Sequence, residues 1–419
     1  MNKDVLVIGG GMAGMQSALL LAEKNHHVYI LEKDCTIGGY FSLQDRTFPA
    51  HSCNHCLMSP QSPAYCPVYE SDFHENIELL VHSELREVRG SAGHFGITYE
   101  QKPGFVDRAQ CTLCHQCAVV CPVQKADESG VGIEQRKAIY LPWDHAVPRV
   151  YAIDESICNR CGRCVQVCSS GAINLDEKPE IKALNVGAII LGSGVEPFPG
   201  EEKGEFGFKR YKDVVTSIQY EQMLSYSGPT GGLPWRPSDH ERPGKIAFIQ
   251  CIGSRDISCG REYCSSMCCM YATKQAVISK KRDKNLDIAL FFMDIRAMAR
   301  DDERYYQEAR EKYGVRYIRS IVSTIRDLRQ KKQLLLSCGL ADGSRKDEYF
   351  DMVVLSLGFY PSKSAVDTAQ KCGVKINEYH FCATGEFSPT KTSVPGIFVA
   401  GSFREPRNIA ETLLDGGSA

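Results

Sequence analysis

Residues 4–15 read DVLVIGGGMAGM. Four consecutive apolar residues, Val5 to Ile8, make a short strand that is buried on both faces. Gly9, Gly11 and Gly14 then form G-x-G-x-x-G at the hand-over to an apolar helix reaching about Lys24, and HVYILEK (27–33) supplies the next strand. Strand, glycine turn, helix and strand, in that order, open a parallel nucleotide-binding sheet. The first glycine permits the tight turn, the second lets a pyrophosphate approach the backbone, and the third lets helix and sheet pack closely. The helix N-terminus offers its free N–H groups to the phosphates. Glu32, at the end of the second strand, is placed to accept ribose hydroxyls.

Outward from this unit, a loop rich in Cys, His and Pro runs from about Cys35 to Tyr69, and residues 77–100 alternate as sheet strands do. ALNVGAIILGSG (183–194) reads as one buried strand ending in glycines, including Gly192. Residues 195–243 are loop-rich, with a short helix expected at SIQYEQMLS. A second nucleotide-type lobe begins at GKIAFIQ (244–250), continues through a helix from about Met270, the strand DIALFFM, the helix DDERYYQEAREKYG and alternating segments at 315–350, and includes DMVVLSLG. VPGIFVAG, with Gly401 at its end, closes back onto the first lobe. The expected domains are therefore a flavin-binding part at 1–105, an inserted cysteine-rich module at 106–175, a second part with connection at 176–243, the second lobe at 244–360 and a closing part at 361–419.

The 419 residues carry 49 basic and 51 acidic side chains. So even a balance argues against a nucleic-acid binder and gives no electrostatic reason to dock on a membrane. No apolar run approaches the ~20 residues that span a bilayer. The chain enters a strand within its first residues and leaves no room for a signal peptide, so a cytoplasmic location is expected.

Twenty cysteines in a large chain that reads as unexported point to metal rather than to disulfides. Cys111, Cys114, Cys117 and Cys121, with Pro122 after them, form C-x-x-C-x-x-C-x-x-x-C. Cys158, Cys161, Cys164 and Cys168 repeat it, with Ser169 where proline is usual. This is the two-cluster ferredoxin pattern, in which the fourth cysteine of each run serves the other cluster. It assigns Cys111, Cys114, Cys117 and Cys168 to one [4Fe-4S] centre and Cys158, Cys161, Cys164 and Cys121 to the other. Zinc is the minor alternative. His115, inside the first run, reads as a packing or hydrogen-bonding residue.

FAD rather than NAD is suggested by likeness to two-dinucleotide-domain flavoproteins of the thioredoxin-reductase kind. Gly38 and Gly39 follow Glu32 where those proteins carry a glycine pair beside the flavin, and AIILGSG and GIFVAGS resemble their two later strand motifs. One departure stands at Gly401-Ser402, where the superfamily usually has Gly-Asp. The expected fold is thus α/β, a two-dinucleotide-binding-domain flavoprotein with an inserted ferredoxin-like 2[4Fe-4S] domain. In the second lobe, QCIGSRDISCGREYCSSMCCMYATK (250–274) keeps only Gly253 where a glycine-rich phosphate cradle would lie. Cys251, Cys264, Cys268 and Cys269 suffice there for a third cubane, with Cys259 spare.

C-I-G-S-R-D with Y-C-x-x-x-C-C-M-Y-A-x-K, the upstream TFPAHSCNHCLMSP and the embedded double ferredoxin resemble the HdrA family of heterodisulfide reductases over nearly the whole chain. Long members carry further N- and C-terminal cluster domains, so this sequence reads as a short form. The resemblance implies an oxidoreductase component that is active within a complex, with FAD as an electron-distributing or electron-bifurcating centre and clusters as wires. It implies other redox subunits and donor and acceptor proteins as partners, an oligomeric assembly, anaerobic metabolism, and at most peripheral attachment to a membrane complex. Lys274, on the helix after the double cysteine, is the candidate cation beside the flavin, and Glu221 resembles the family's acidic partner for it; these two are the candidate catalytic residues. Cys53, Cys56 and Cys66 have three readings: a fourth cluster with Cys35, a redox disulfide between Cys53 and Cys56, or loop packing. The disulfide reading is the basis of the rival function, an NAD(P)H-dependent flavin disulfide reductase. His51 and His55 leave zinc conceivable there.

Overall fold

Val5, Leu6, Val7 and Ile8 are all buried, as a strand covered on both faces must be. They form the middle of a five-stranded parallel sheet in the order Ile397–Val399, Ala188–Leu191, Val5–Ile8, Val28–Leu31, Ile77–Leu80. The helix Met12–Ala22 and the C-terminal helix Ile409–Ser418 pack against each other beside this sheet. The computed structural model describes residues 3–44, 67–126, 135–143, 146–226, 228–299 and 301–419.

A second, seven-stranded sheet runs Val214–Thr216, Met352–Leu357, Lys245–Ile252, Asp287–Phe292, Arg316–Leu328, Gln333–Leu340, Arg345–Phe350. Its first five strands are parallel and its last two fold back antiparallel. Ile246 and Phe248 point to the face covered by the helices Ser217–Leu224 and Cys268–Arg282, where Ala272 and Ala276 let helix and sheet approach. Ala247 and Ile249 face the opposite core. The helix Ser217–Leu224 starts on a reciprocal cap, in which the Thr216 hydroxyl accepts from Gln219 N and the Gln219 side chain accepts from Thr216 N.

The segment 183–194, read above as one strand, is two. Glu180–Val186 pairs antiparallel with His94–Gln101, and after Gly187 the chain moves into the parallel sheet as Ala188–Leu191. Apolar periodicity is continuous across the join because both halves are buried on at least one side, so the pattern alone conceals the change of sheet. The double-cysteine module is held by two short helices, Gln116–Val120 and Arg163–Val167, which pack together beside the ribbon Ile139–Tyr140 and Ala152–Ile153. Among the described residues no helix is long and apolar enough to cross a membrane.

Candidate functional site

All the glycines singled out for nucleotide binding meet at the C-terminal ends of the parallel strands, where open α/β sheets bind ligands. A side chain at Gly14 would put its Cβ 2.0 Å from the Gly9 carbonyl oxygen, so helix and turn touch through bare backbone. Gly192 lies against Gly14, and a Cβ on Gly401 would meet that of Ala13 at 2.7 Å. The Gly38 amide donates to Gly10 O at 2.7 Å, and Gly39, at φ +53°, lies against the Gly11 Cα. At Gly11 itself an added Cβ meets nothing within 4 Å. Gly11 is also the N-cap of Met12–Ala22, and no side chain caps that end.

Glu32 is buried at the rim of this space and accepts from Gly10 N (2.7 Å) and Asp34 N (3.0 Å). Burial, with the Asp34 charge behind it, raises its carboxyl to about 7. Two hydroxyls that sequence reasoning missed, Thr36 Oγ1 and Ser193 Oγ, are buried here with no partner among the described residues. Nothing in their spacing marks them. An open glycine cradle, an uncapped helix end, an acid at the second strand and orphaned hydroxyls fit a dinucleotide.

The cysteine module docks on this lobe through Ile37 N, which donates to Val147 O at 2.8 Å, and through Arg108 with Asp72 at 2.6 Å. Tyr140 contacts the Cys35 thiol, and the Arg136 guanidinium lies 3.8 Å from the centre of the Tyr140 ring. Within the module the eight thiols divide between two hollows. One is lined by Cys111, Cys114, Cys117 and Cys168, the other by Cys121, Cys158, Cys161 and Cys164. Among the described residues no three His, Cys, Asp or Glu side chains converge closely enough to hold a single metal ion. Burial raises Cys117 to about 11 and also raises Cys164. At Cys168 burial acts in the same direction, but hydrogen bonds from Ser170 and backbone amides outweigh it and lower the thiol. His115 hydrogen-bonds the Tyr151 hydroxyl.

In the second lobe Cys251, Cys268 and Cys269 form a buried group, with Cys264 beside them. The Cys268 thiol is raised by its hydrogen bond with Cys251, and that of Cys269 by its hydrogen bond with Cys268. Thiols held so remain protonated until a metal displaces the protons. Cys259 lies apart and donates to Asp256. Lys274 and Glu221 meet in a buried ion pair at 2.6 Å, and Gln275 Nε2 donates to the other Glu221 oxygen at 2.8 Å. The Glu221 helix packs on the turn Gly39–Leu43 that follows the glycine pair, and Tyr40 of that turn meets Phe359 of the second lobe edge to face. Cys53, Cys56 and Cys66, with His51 and His55, lie outside the described residues.

Residues 110–172 match the 4Fe-4S dicluster domain, and residues 7–63 match an NAD(P)-binding Rossmann-like domain. The fold is that of T. acidophilum thioredoxin reductase: TM-score 0.53 at 15% identity, covering 100% of this chain and 96% of that one. Over 421 residues the chain is 38% identical to the iron-sulfur subunit HdrA of the CoB–CoM heterodisulfide reductase of Methanocaldococcus jannaschii. Over 423 residues it is 35% identical to the HdrA of the H(2):CoB-CoM heterodisulfide,ferredoxin reductase of Methanothermobacter marburgensis. Both alignments cover 100% of this chain and 63% of the relative. Thus, while spanning under two thirds of those relatives' length, the chain belongs throughout its own to the HdrA family of heterodisulfide reductases.

Proposed function

We propose that the chain is the FAD- and iron–sulfur-bearing electron-transfer part of a heterodisulfide-reductase-like oxidoreductase, working in the cytoplasm with partner redox subunits. The observation that carries this reading is the sorting of eight thiols into two hollows, each lined by three cysteines of one run and the last cysteine of the other. That interleaving is what two cubanes in a ferredoxin fold require. In this reading Cys111, Cys114, Cys117 and Cys168 hold one cluster, and Cys158, Cys161, Cys164 and Cys121 the second. Cys251, Cys264, Cys268 and Cys269 hold a third.

Bound FAD would supply two-electron chemistry that can be handed on one electron at a time. The Gly9–Gly14 turn would receive its pyrophosphate, and Glu32 its ribose hydroxyls. Gly38 and Gly39 would admit the flavin side, and Gly192 and Gly401 would floor the cleft. Lys274, held by Glu221, would set the local charge. Cluster sites on the inserted module and on the second lobe give electrons two exits, which is the arrangement bifurcation needs. Heterodisulfide and ferredoxin, for which the relatives are named, set the class of donor and acceptor.

Anaerobic reductive titration of the purified protein, with flavin, iron and sulfide counted, tests this. The expected result is one flavin taking two electrons and at least three clusters taking one each. Protein that purifies with flavin but iron for fewer than two cubanes would sink it.

A further inference from the structure

Three buried side chains beside the second-lobe cysteines are left without partners. Gln250 is 7% exposed, and neither its Oε1 nor its Nε2 has a hydrogen-bond partner among the described residues. Ser265 and Ser356 are both 0% exposed, and each Oγ is equally unpartnered. Leaving one polar group unsatisfied in a core costs roughly 1–3 kcal/mol. Three such groups together would consume a large part of the ~5–15 kcal/mol that a whole domain has to spare. They therefore serve a partner that the polypeptide does not itself provide.

Their positions say where that partner lies. Gln250 precedes Cys251, and Ser265 follows Cys264. Ile249 pairs with Leu355, and the strand bulges before Ile252 meets Leu357. This sets Gln250 and Ser356 side by side on neighbouring strands. Ile249, Ile252, Leu355 and Leu357 all face one core, so Gln250 and Ser356 point to the other side. That side carries the helix Cys268–Arg282, whose first turn holds Cys268 and Cys269. The Ser265 amide donates to Ser254 Oγ at 3.0 Å, which fixes the loop between Cys264 and Cys268 and leaves the Ser265 hydroxyl to turn inward. Amide N–H and hydroxyl groups are donors, and buried thiolates and sulfides are acceptors in want of them.

We propose that Gln250, Ser265 and Ser356 are hydrogen-bond donors to the sulfurs of the cluster held by Cys251, Cys264, Cys268 and Cys269, and that they set its reduction potential. This rests on the third-cluster reading given above. Reduction adds one electron to an already anionic centre, and donors aimed at its sulfurs stabilise the added charge, so they raise the potential. The two ferredoxin-type centres have their own surroundings and are independent of these residues.

The test is an EPR-monitored redox titration of Gln250→Leu and Ser265→Ala, with each cluster's signal followed separately and iron counted. Each variant should keep its full iron and lower the potential of this one cluster. Gln250→Leu should lose about tenfold in its reduction equilibrium constant, about 59 mV for a one-electron couple. In protein exchanged into D2O, a deuterium hyperfine coupling on the reduced cluster should weaken in Gln250→Leu. Wild-type potential and coupling in both variants at full iron content would overturn the proposal and leave buried water as the partner. Cys268→Ala separates the two levels: it should remove one cubane's iron, and unchanged iron there would overturn the cluster and the donors with it.

Discussion

Single residues in the nucleotide turn divide into those the fold needs and those the ligand needs. Gly14 belongs to the first kind, since a Cβ there would sit 2.0 Å from Gly9 O. Gly11 belongs to the second, because a Cβ there meets no protein atom within 4 Å. Gly11→Val should therefore fold and lose FAD, whereas Gly14→Val should fail to accumulate as folded protein. Flavin counting and thermal melting together check this, and full flavin occupancy in folded Gly11→Val would refute it. Glu32 makes a different prediction. Its folded carboxyl lies near 7 against an ordinary 4.5, through burial first. Between those values the folded state holds a proton that the unfolded state has released, so stability falls as pH rises from 4.5 to 7 and stays reduced above. Glu32→Gln should stabilise the flavin-free protein at pH 8, by at most about 3 kcal/mol, and lose the advantage by about pH 4.5. The same variant should bind flavin more weakly, and chemical denaturation across pH reads out the stability side.

At the scale of elements, the ion pair between the helices Ser217–Leu224 and Cys268–Arg282 decides how they sit. Lys274 and Glu221 are both buried and bonded at 2.6 Å. Removing one partner strands the other's charge, at a cost of ~3–5 kcal/mol, while replacing both with neutral groups is close to neutral. Lys274→Met and Glu221→Gln should each destabilise strongly, and the double variant should recover most of the loss. If the pair also faces the flavin, Lys274→Met lowers the flavin potentials and Glu221→Gln raises them, with the clusters little changed; spectroelectrochemistry with the flavin resolved reads this. Sequence named both residues, yet only as neighbours of a cofactor. Their contact joins positions far apart in the chain, and no local pattern encodes it. Elements with local signals were largely legible: the glycine turn, the cysteine runs, and the helix that begins at Cys268 rather than Met270. The C-terminal helix Ile409–Ser418 was missed, although Asn408 and Glu411 cap it reciprocally, an N-x-x-E signature visible in the sequence. The orphaned Thr36, Ser193 and Gln250 could not have been found so, because burial is a property of the packed whole.

For the whole molecule, the question is whether the second lobe takes a pyridine nucleotide, as the rival disulfide-reductase reading demands. Its parallel strands have the right order, but the strand Lys245–Ile252 does not hand over directly to a helix. Gly253 follows it with φ +70°, and a Cβ there would stand 2.0 Å from the Phe198 ring. Arg261 covers that ring at 4.9 Å and the Tyr360 ring at 4.5 Å. The space just beyond the strand, where a phosphate cradle must be open, is thus occupied by an aromatic side chain with a cation over it. The helix that would offer its N–H groups starts only at Cys268, and its first turn is taken up by buried thiols. A pyrophosphate needs bare backbone and an accessible helix end together, and this lobe presents neither at that position. Anaerobic NADH or NADPH should therefore fail to bleach the flavin of the purified protein over a time in which dithionite bleaches it fully. Phe198→Gly, which empties the space without restoring the missing glycines or freeing the helix end, should not create that reduction. Stoichiometric bleaching of the wild-type flavin by either nucleotide would reverse the choice between the two functions.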